Sequence, residues 1–174
     1  MKNHFELFGL VPAFALDVEQ LDRAYREIQS KVHPDRHALA GAAGRRASMQ
    51  MTTQVNEAHR TLKSPVQRAK YLLELNGVDV AFETNTAMPR EFLMEQMALR
   101  ERLAEARNVA TLGLLLDELS EEKRHIELQI AELTDIRHDY NAASDFVRKL
   151  MFLDRLGAEI DAAHDRIEVP PPEA

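Results

Sequence analysis

Five apolar residues at helical spacing, cut off by a proline, place the tightest constraint on this chain. Val18, Leu21, Tyr25, Ile28 and Val32 recur at intervals of three and four, the pattern of one buried face of an α-helix. Asp17 precedes them as an N-cap whose carboxylate can accept from the free amides of the first turn. Pro34 ends the run, because it lacks an amide hydrogen and its ring pushes His33 away from helical geometry. Asp35 then follows a helix C-terminus, where the helix dipole disfavours a negative charge. His33-Pro34-Asp35 reads most simply as a helix-ending turn. A carboxylate tolerated in so poor a place is also one that can be presented to something else.

The rest of the chain repeats the helical spacing, with no alternating strand pattern and no internal repeat, so the fold class is all-α. Residues 3–10 read as a short helix ended by Gly9, with Pro12 beyond it. His37 to Gly44 reads as an Ala/Gly-rich loop. A helix from about Arg45 to Leu62 would face inward with Ala47, Met51, Val55, Ala58 and Leu62, pairing with the first long helix as a hairpin. Ser64-Pro65 is a cap and first-turn pair for a helix carrying Ala69, Leu72 and Leu73, and Asn76-Gly77 ends it. These helices make a first module over residues 1–76. Residues 77–88 read as a linker, and residues 89–174 as a three-helix bundle. Its helices run from Pro89 to about Ala106, from an Asn108 cap through Val109 to Leu133, and from Asn141 to Ile167. The second turns Leu112, Leu115, Leu116, Leu119, Ile126, Ile130 and Leu133 inward, and Pro170-Pro171-Pro172 stops the third.

Charge separates the two modules. The chain carries −7 overall, but residues 1–75 hold eleven Lys/Arg against eight Asp/Glu, and residues 76–174 eleven against twenty-one. Different partners are expected for the two, and nucleic acid is not among them, because the second half offers no concentrated basic face. With no Cys, a disulfide framework, a thiolate metal site and a Cys nucleophile are excluded. No apolar run approaches a membrane span, and the N-terminus lacks a signal-peptide stretch, so a cytoplasmic, membrane-free protein is expected. Enzyme readings are weak. There is no Gly-rich phosphate loop. His33, Asp35 and His37 make a poor metal set around Pro34, and Glu57, Glu121 and Glu122 read as solvated helix residues. Neither a metal nor a cofactor is expected.

The Pro89 helix has two apolar faces. With Phe92 at zero, Leu99 and Leu103 fall within roughly 20° of it, while Leu93, Met94 and Met97 fall at about 100°, 200° and 140°. One helix of a three-helix bundle cannot easily bury both, so the far face either packs on the first module or is an exposed partner patch. On the last helix Phe146, Leu150 and Leu153 share a stripe; Phe152 lies off it and can join the same patch, with Arg100 and Glu101 as a polar rim. On the first long helix Arg23, Arg26 and Lys31, with Arg36 just beyond, lie off the apolar face. They form either an ordinary solvated face or a basic docking surface.

Phe5, Leu7, Phe8, Gly9, Leu10, Leu21, Tyr25, Arg26, Ile28, His33-Pro34-Asp35-Arg36, Val55-Asn56-Glu57-Ala58, Leu62 and Ser64-Pro65 together resemble a J-domain, the co-chaperone module of the DnaJ class. Two positions depart from its pattern: Arg36 where lysine is common, and His59 where an aromatic is common, which would loosen packing locally. There is neither a Gly/Phe-rich stretch nor a Cys-rich region. Instead Pro65–Gly77, Glu91–Met97 and Val147–Asp154 resemble HscB, the J-type co-chaperone of iron–sulfur cluster biogenesis, in its bacterial form. The resemblance implies docking on an ATP-bound DnaK-class chaperone, HscA, through His33, Pro34, Asp35 and the basic helix, which triggers ATP hydrolysis by that partner. It also implies that the scaffold protein IscU is held on Leu93, Met94, Met97, Arg100, Glu101 and Phe152, and that the chain itself hydrolyses nothing. The competing readings are a general J-protein presenting unfolded clients through the same patch, and a structural adaptor with an inert His-Pro-Asp turn.

Overall fold

The computed structural model describes residues 2–32, 41–80 and 89–168. His33, Pro34, Asp35, Arg36 and the 37–40 part of the expected loop lie outside the described residues, as do 81–88 of the expected linker and the proline tail. The described residues form helices and no strands. The chain divides into two compact units, residues 1–76 and 77–174.

The first unit holds α1 (His4–Leu7), α2 (Val18–Val32), α3 (Gly41–Lys63) and α4 (Pro65–Leu75). α1 opens with a capping box: Asn3 accepts from the Glu6 amide and the Glu6 carboxylate accepts from Asn3 N–H. The Asp17 cap of α2 is present, accepting from Gln20 N–H at 3.0 Å. Ser64 caps α4 with Pro65 at its first position, and Gly77 follows its end at φ 75°. Phe5, Phe8, Phe14, Leu21, Val55, Ala58, Leu62, Ala69, Leu72 and Leu73 make the core.

Four expectations for this unit are corrected. α3 begins at Gly41, so 41–44 are helical rather than loop. Ala47 and Met51 are exposed, because the inward face runs one residue later through Ser48 and Thr52 before rejoining Val55, Ala58 and Leu62. Val18, at the first turn of α2, is exposed too. His59 tightens the α2–α3 contact rather than loosening it: its ring stacks on Tyr25 at 4.0 Å and its Nε2 meets Asp22 Oδ1 at 2.7 Å. Arg68, unremarkable in sequence, is buried. It donates from Nε to Phe14 O at 2.8 Å and from Nη1 to Leu62 O at 2.6 Å, with its guanidinium over the Phe14 ring. One side chain thereby ties α4 to the end of α3 and to the segment before α2.

The second unit is a long α6–α7 hairpin, α6 (Val109–Ala131) and α7 (Tyr140–Glu168), with α5 (Arg90–Glu105) laid against it. Leu112, Leu115, Leu119, Ile126 and Ile130 face Val147, Leu150, Leu153, Leu156 and Ile160 in its core, while Leu116 and Leu133 are half-buried. α6 stops at Ala131 rather than Leu133. A π-helical turn, Glu132–Ile136, follows, in which Thr134 Oγ1 donates back to Ile130 O. His138 then reverses the chain at φ 53°, its Nδ1 bonded to Thr134 O at 3.0 Å, and Asp139 accepts from Ala142 N–H to open α7. Gly157 lets the two long helices approach: a Cβ there would stand 3.3 Å from Leu119 Cδ2.

Candidate partner-binding surfaces

The first candidate surface is the solvent side of α2. Arg23, Arg26 and Lys31 are all exposed. Arg23 lies 3.6 Å from Glu19 and 3.8 Å from Asp17, and Lys31 is 2.6 Å from Glu27. The Lys31 hydrogen bond holds the Glu27 carboxyl below its ordinary range. Such exposed pairs contribute little to stability and exchange readily for a partner's carboxylates. Arg26 has no ion-pair partner among the described residues. The positive charge off the apolar face is therefore real, though partly compensated within the helix.

The end of α2 is fastened from α3. Val32 O, the last acceptor before His33, takes a hydrogen bond from Ser48 Oγ at 2.6 Å and a longer one from Thr52 Oγ1 at 3.3 Å. Helix C-terminal carbonyls lack intrahelical partners, and two hydroxyls here supply them. Sequence reasoning passed over both residues because it assigned the inward stripe to Ala47 and Met51. The available signal was two small hydroxyl residues four apart, in register with Val55. Further along, Tyr25 Oη donates to Asn56 Oδ1 and Gln29 bonds the same oxygen, while Asp22 meets both His59 and Lys63. The hydrogen bonds from His59 and then Lys63 hold the Asp22 carboxyl below its usual value. The basic face is thus mounted on a hairpin fixed along its length.

The second candidate surface lies on α5. Pro89 stands at its N-terminus, and Phe92 anchors the helix with its ring edge-on to Phe152 of α7, 5.7 Å between centroids. Leu99 and Leu103 are half-buried on the same side. The opposite side faces outward: Leu93 is 39% exposed, Met94 60% and Met97 71%. Met94, Met97, Ala98 and Glu101 line a shallow depression. Phe152 is half-buried at the α7 border, and the Arg100 guanidinium sits 4.9 Å over its ring while pairing with Glu159 at 2.9 Å. The structure thus brings Arg100 and Phe152 together beside Leu93, with Glu101 at the outer rim. Lys149, which sequence reasoning did not single out, lies between the Phe92 and Phe146 rings at 5.3 and 5.4 Å. On the other flank of α5, Arg102 forms a bidentate pair with Glu118 of α6, which lowers the Glu118 carboxyl and raises the guanidinium.

Among the described residues no group of three or more His, Asp and Glu side chains is placed to hold a metal ion, and no helix is long and apolar enough to cross a membrane. The surfaces suit docking: an adaptable apolar ridge with a charged rim on one unit, and a firmly mounted basic helix on the other.

Comparison with known proteins identifies the family. Residues 3–71 match the DnaJ domain family, and residues 88–161 match the family described as HSCB C-terminal oligomerisation domain. The chain is 52% identical over 169 residues to the "Co-chaperone protein HscB homolog" of Burkholderia thailandensis, covering 95% of this chain and 96% of the relative. The corresponding protein of Burkholderia multivorans is 50% identical over the same length. Among solved structures, the chaperone HscB from Vibrio cholerae superposes with a TM-score of 0.84 at 36% identity, covering 95% of this chain and 99% of that one. The human co-chaperone protein HscB superposes with a TM-score of 0.90 at 25% identity, covering 97% and 84%. With a DnaJ-type first unit, an HscB-type second unit and relatives matched nearly end to end, the chain belongs to the HscB family of J-domain co-chaperones.

Proposed function

We propose that the chain presents its α2 basic face, with His33-Pro34-Asp35, to an ATP-bound chaperone of the HscA/DnaK class and stimulates ATP hydrolysis there. In this reading the second unit carries an IscU-type scaffold protein to that chaperone, so the chain acts in iron–sulfur cluster assembly, in the cytoplasm, and is not itself an enzyme. The observation that carries the reading is the outward ridge of Leu93, Met94 and Met97 beside Phe152, in a chain whose other unit is a J-domain.

The physical division of labour follows from the side chains. A basic helix speeds encounter with an acidic partner and loses that advantage as salt rises. Asp35 suits a charge-assisted bond to a partner arginine, and Pro34 limits the backbone freedom lost when that bond forms. On the second unit, methionines adapt to a partner's contour while Phe152 offers a more rigid aromatic surface.

The deciding experiment is single-turnover ATP hydrolysis by an HscA-type chaperone, with and without the scaffold. The wild-type chain is expected to accelerate it, and the scaffold to accelerate it further. His33→Gln is expected to abolish stimulation while leaving helicity and scaffold affinity unchanged. Absence of stimulation by the wild type would overturn the reading. Suppression of aggregation of a denatured protein, equal with and without scaffold and lost on changing the ridge, would instead favour a general J-protein.

A further inference from the structure

The α6-facing flank of α5 carries a feature that the apolar ridge does not account for. Glu95, Gln96 and Leu99 of α5, with Glu118, Leu119 and Glu122 of α6 and Leu153 of α7, line a groove of about 160 Å³. Three leucines and three carboxylates share its lining. The Glu118 carboxylate is engaged by Arg102. Glu95 and Glu122 have no hydrogen-bond or ion-pair partner among the described residues. Gln96 forms part of the wall, is only 5% exposed, and its Oε1 lacks any hydrogen-bond partner. A buried acceptor without a donor is costly unless something supplies one. At about 30 Å³ per water the space exceeds a single solvent molecule and accepts the end of a long side chain.

The geometry points to a subsite for a lysine or arginine side chain of the bound scaffold protein. Its methylenes would lie along the half-buried Leu99, behind which Leu119 and Leu153 are buried. Its charged head would sit between the Glu95 and Glu122 carboxylates, where one of its N–H donors would supply the bond that the Gln96 Oε1 lacks. The location supports this occupant. Around α5, Glu95 follows Met94 toward α6, whereas Arg100 and Phe152 close the ridge toward α7. A partner seated on Met94 and Met97 therefore meets apolar and aromatic contacts on one flank and an acidic groove on the other. The inference rests on the scaffold-binding reading above and assigns that partner a cationic residue beside its apolar anchor.

The test compares Glu95→Gln/Glu122→Gln with a control, Glu121→Gln/Glu127→Gln, that removes the same charge from α6 outside the groove. Scaffold affinity of the full chain is measured by calorimetry at low and high salt, and urea melts report the fold. The groove variant is expected to bind about tenfold more weakly at low salt, with the deficit shrinking as salt rises, while the control stays within about twofold of the wild type. Equal losses in both variants would reduce the effect to net charge and overturn the subsite, as would an unchanged affinity in the groove variant. If the wild type itself fails to bind the scaffold, the functional reading falls and the subsite falls with it. Wild-type binding with an indifferent groove rejects the subsite alone.

Discussion

Truncating the α5 ridge one side chain at a time should separate its binding role from its folding role. Full burial of a methionine or leucine side chain stabilises by about 1.5–3 kcal/mol. Met97 is 71% exposed, so most of that remains available to a partner, roughly 1–2 kcal/mol. Met97→Ala should therefore leave urea stability within about 0.5 kcal/mol of the wild type. The same change should weaken scaffold binding about 5- to 30-fold. Leu93 is 39% exposed, so the proportion reverses. Leu93→Ala should lower stability by roughly 1–2 kcal/mol and weaken binding by less than the Met97 change does. Met94 should fall between them. Calorimetric titration with the scaffold, urea melts and scaffold-free chaperone stimulation, which should not move, form the complete assay. A folded Met97→Ala variant that binds as tightly as the wild type would refute the assignment of the ridge. So would a binding loss in Leu93→Ala no larger than its stability loss explains, if it were the only loss in the series.

Other consequences are more local. Arg68→Met removes two charge-assisted hydrogen bonds to buried carbonyls and should lower the stability of the first unit by about 2–4 kcal/mol in urea melts followed by a probe in that unit. Ser48→Ala with Thr52→Val releases Val32 O and should reduce chaperone stimulation far more than scaffold affinity, at a stability loss of about 1–2 kcal/mol. Gly113→Ala meets nothing within 4 Å and should stabilise α6 by about 0.5–1 kcal/mol. Gly157→Ala must displace Leu119 and should lose that gain, a difference readable in parallel melts. Burial against Tyr71 holds the His4 imidazole below 6.5, so the unfolded chain takes up that proton first; stability should fall as pH drops below about 6.5, and His4→Phe should remove that decline. Asp22, depressed by His59 and Lys63, is fully stabilising above about 3.8 and loses its contribution as pH falls toward its lower folded value; Asp22→Asn should flatten the acid limb of the stability curve.

Helix existence was legible wherever a cap and an apolar stripe agreed. Asp17, Ser64-Pro65 and Asn108 each sit at the start of the helix they announce, since a side-chain oxygen in the right place is a local signal. The inward stripe of α3 was misread because the true stripe contains Ser48 and Thr52. Their hydroxyls are inward on account of Val32 O, an acceptor sixteen and twenty residues earlier in the chain. Arg68 was missed for the same reason. Its acceptors belong to the turn before α2 and to the end of α3, so no window along the sequence contains both. The π-helical turn after Ala131 likewise depends on Thr134 bonding back to Ile130 while His138 takes φ 53°, a choice that local apolar spacing does not encode.

The α5 surface was legible because it breaks a rule rather than following one. A helix that needs only one buried face has no packing reason to place Leu93, Met94 and Met97 opposite Phe92. Their exposure in the fold leaves the excess hydrophobicity unexplained by stability. What spacing on one helix could not supply was the company this face keeps. Phe152 reaches it only because α7 runs alongside, and Arg100 holds that ring while bonding Glu159. The acidic groove forms only where Glu118 and Glu122 of α6 come to stand beside Glu95. Charge composition showed that the second half is acidic without showing where, and packing places part of that charge at the border of a helix whose Leu93, Met94 and Met97 face outward. An apolar ridge flanked by an aromatic clamp and a carboxylate groove has a handedness that either element alone lacks, so it can fix the orientation of a bound partner as well as its affinity.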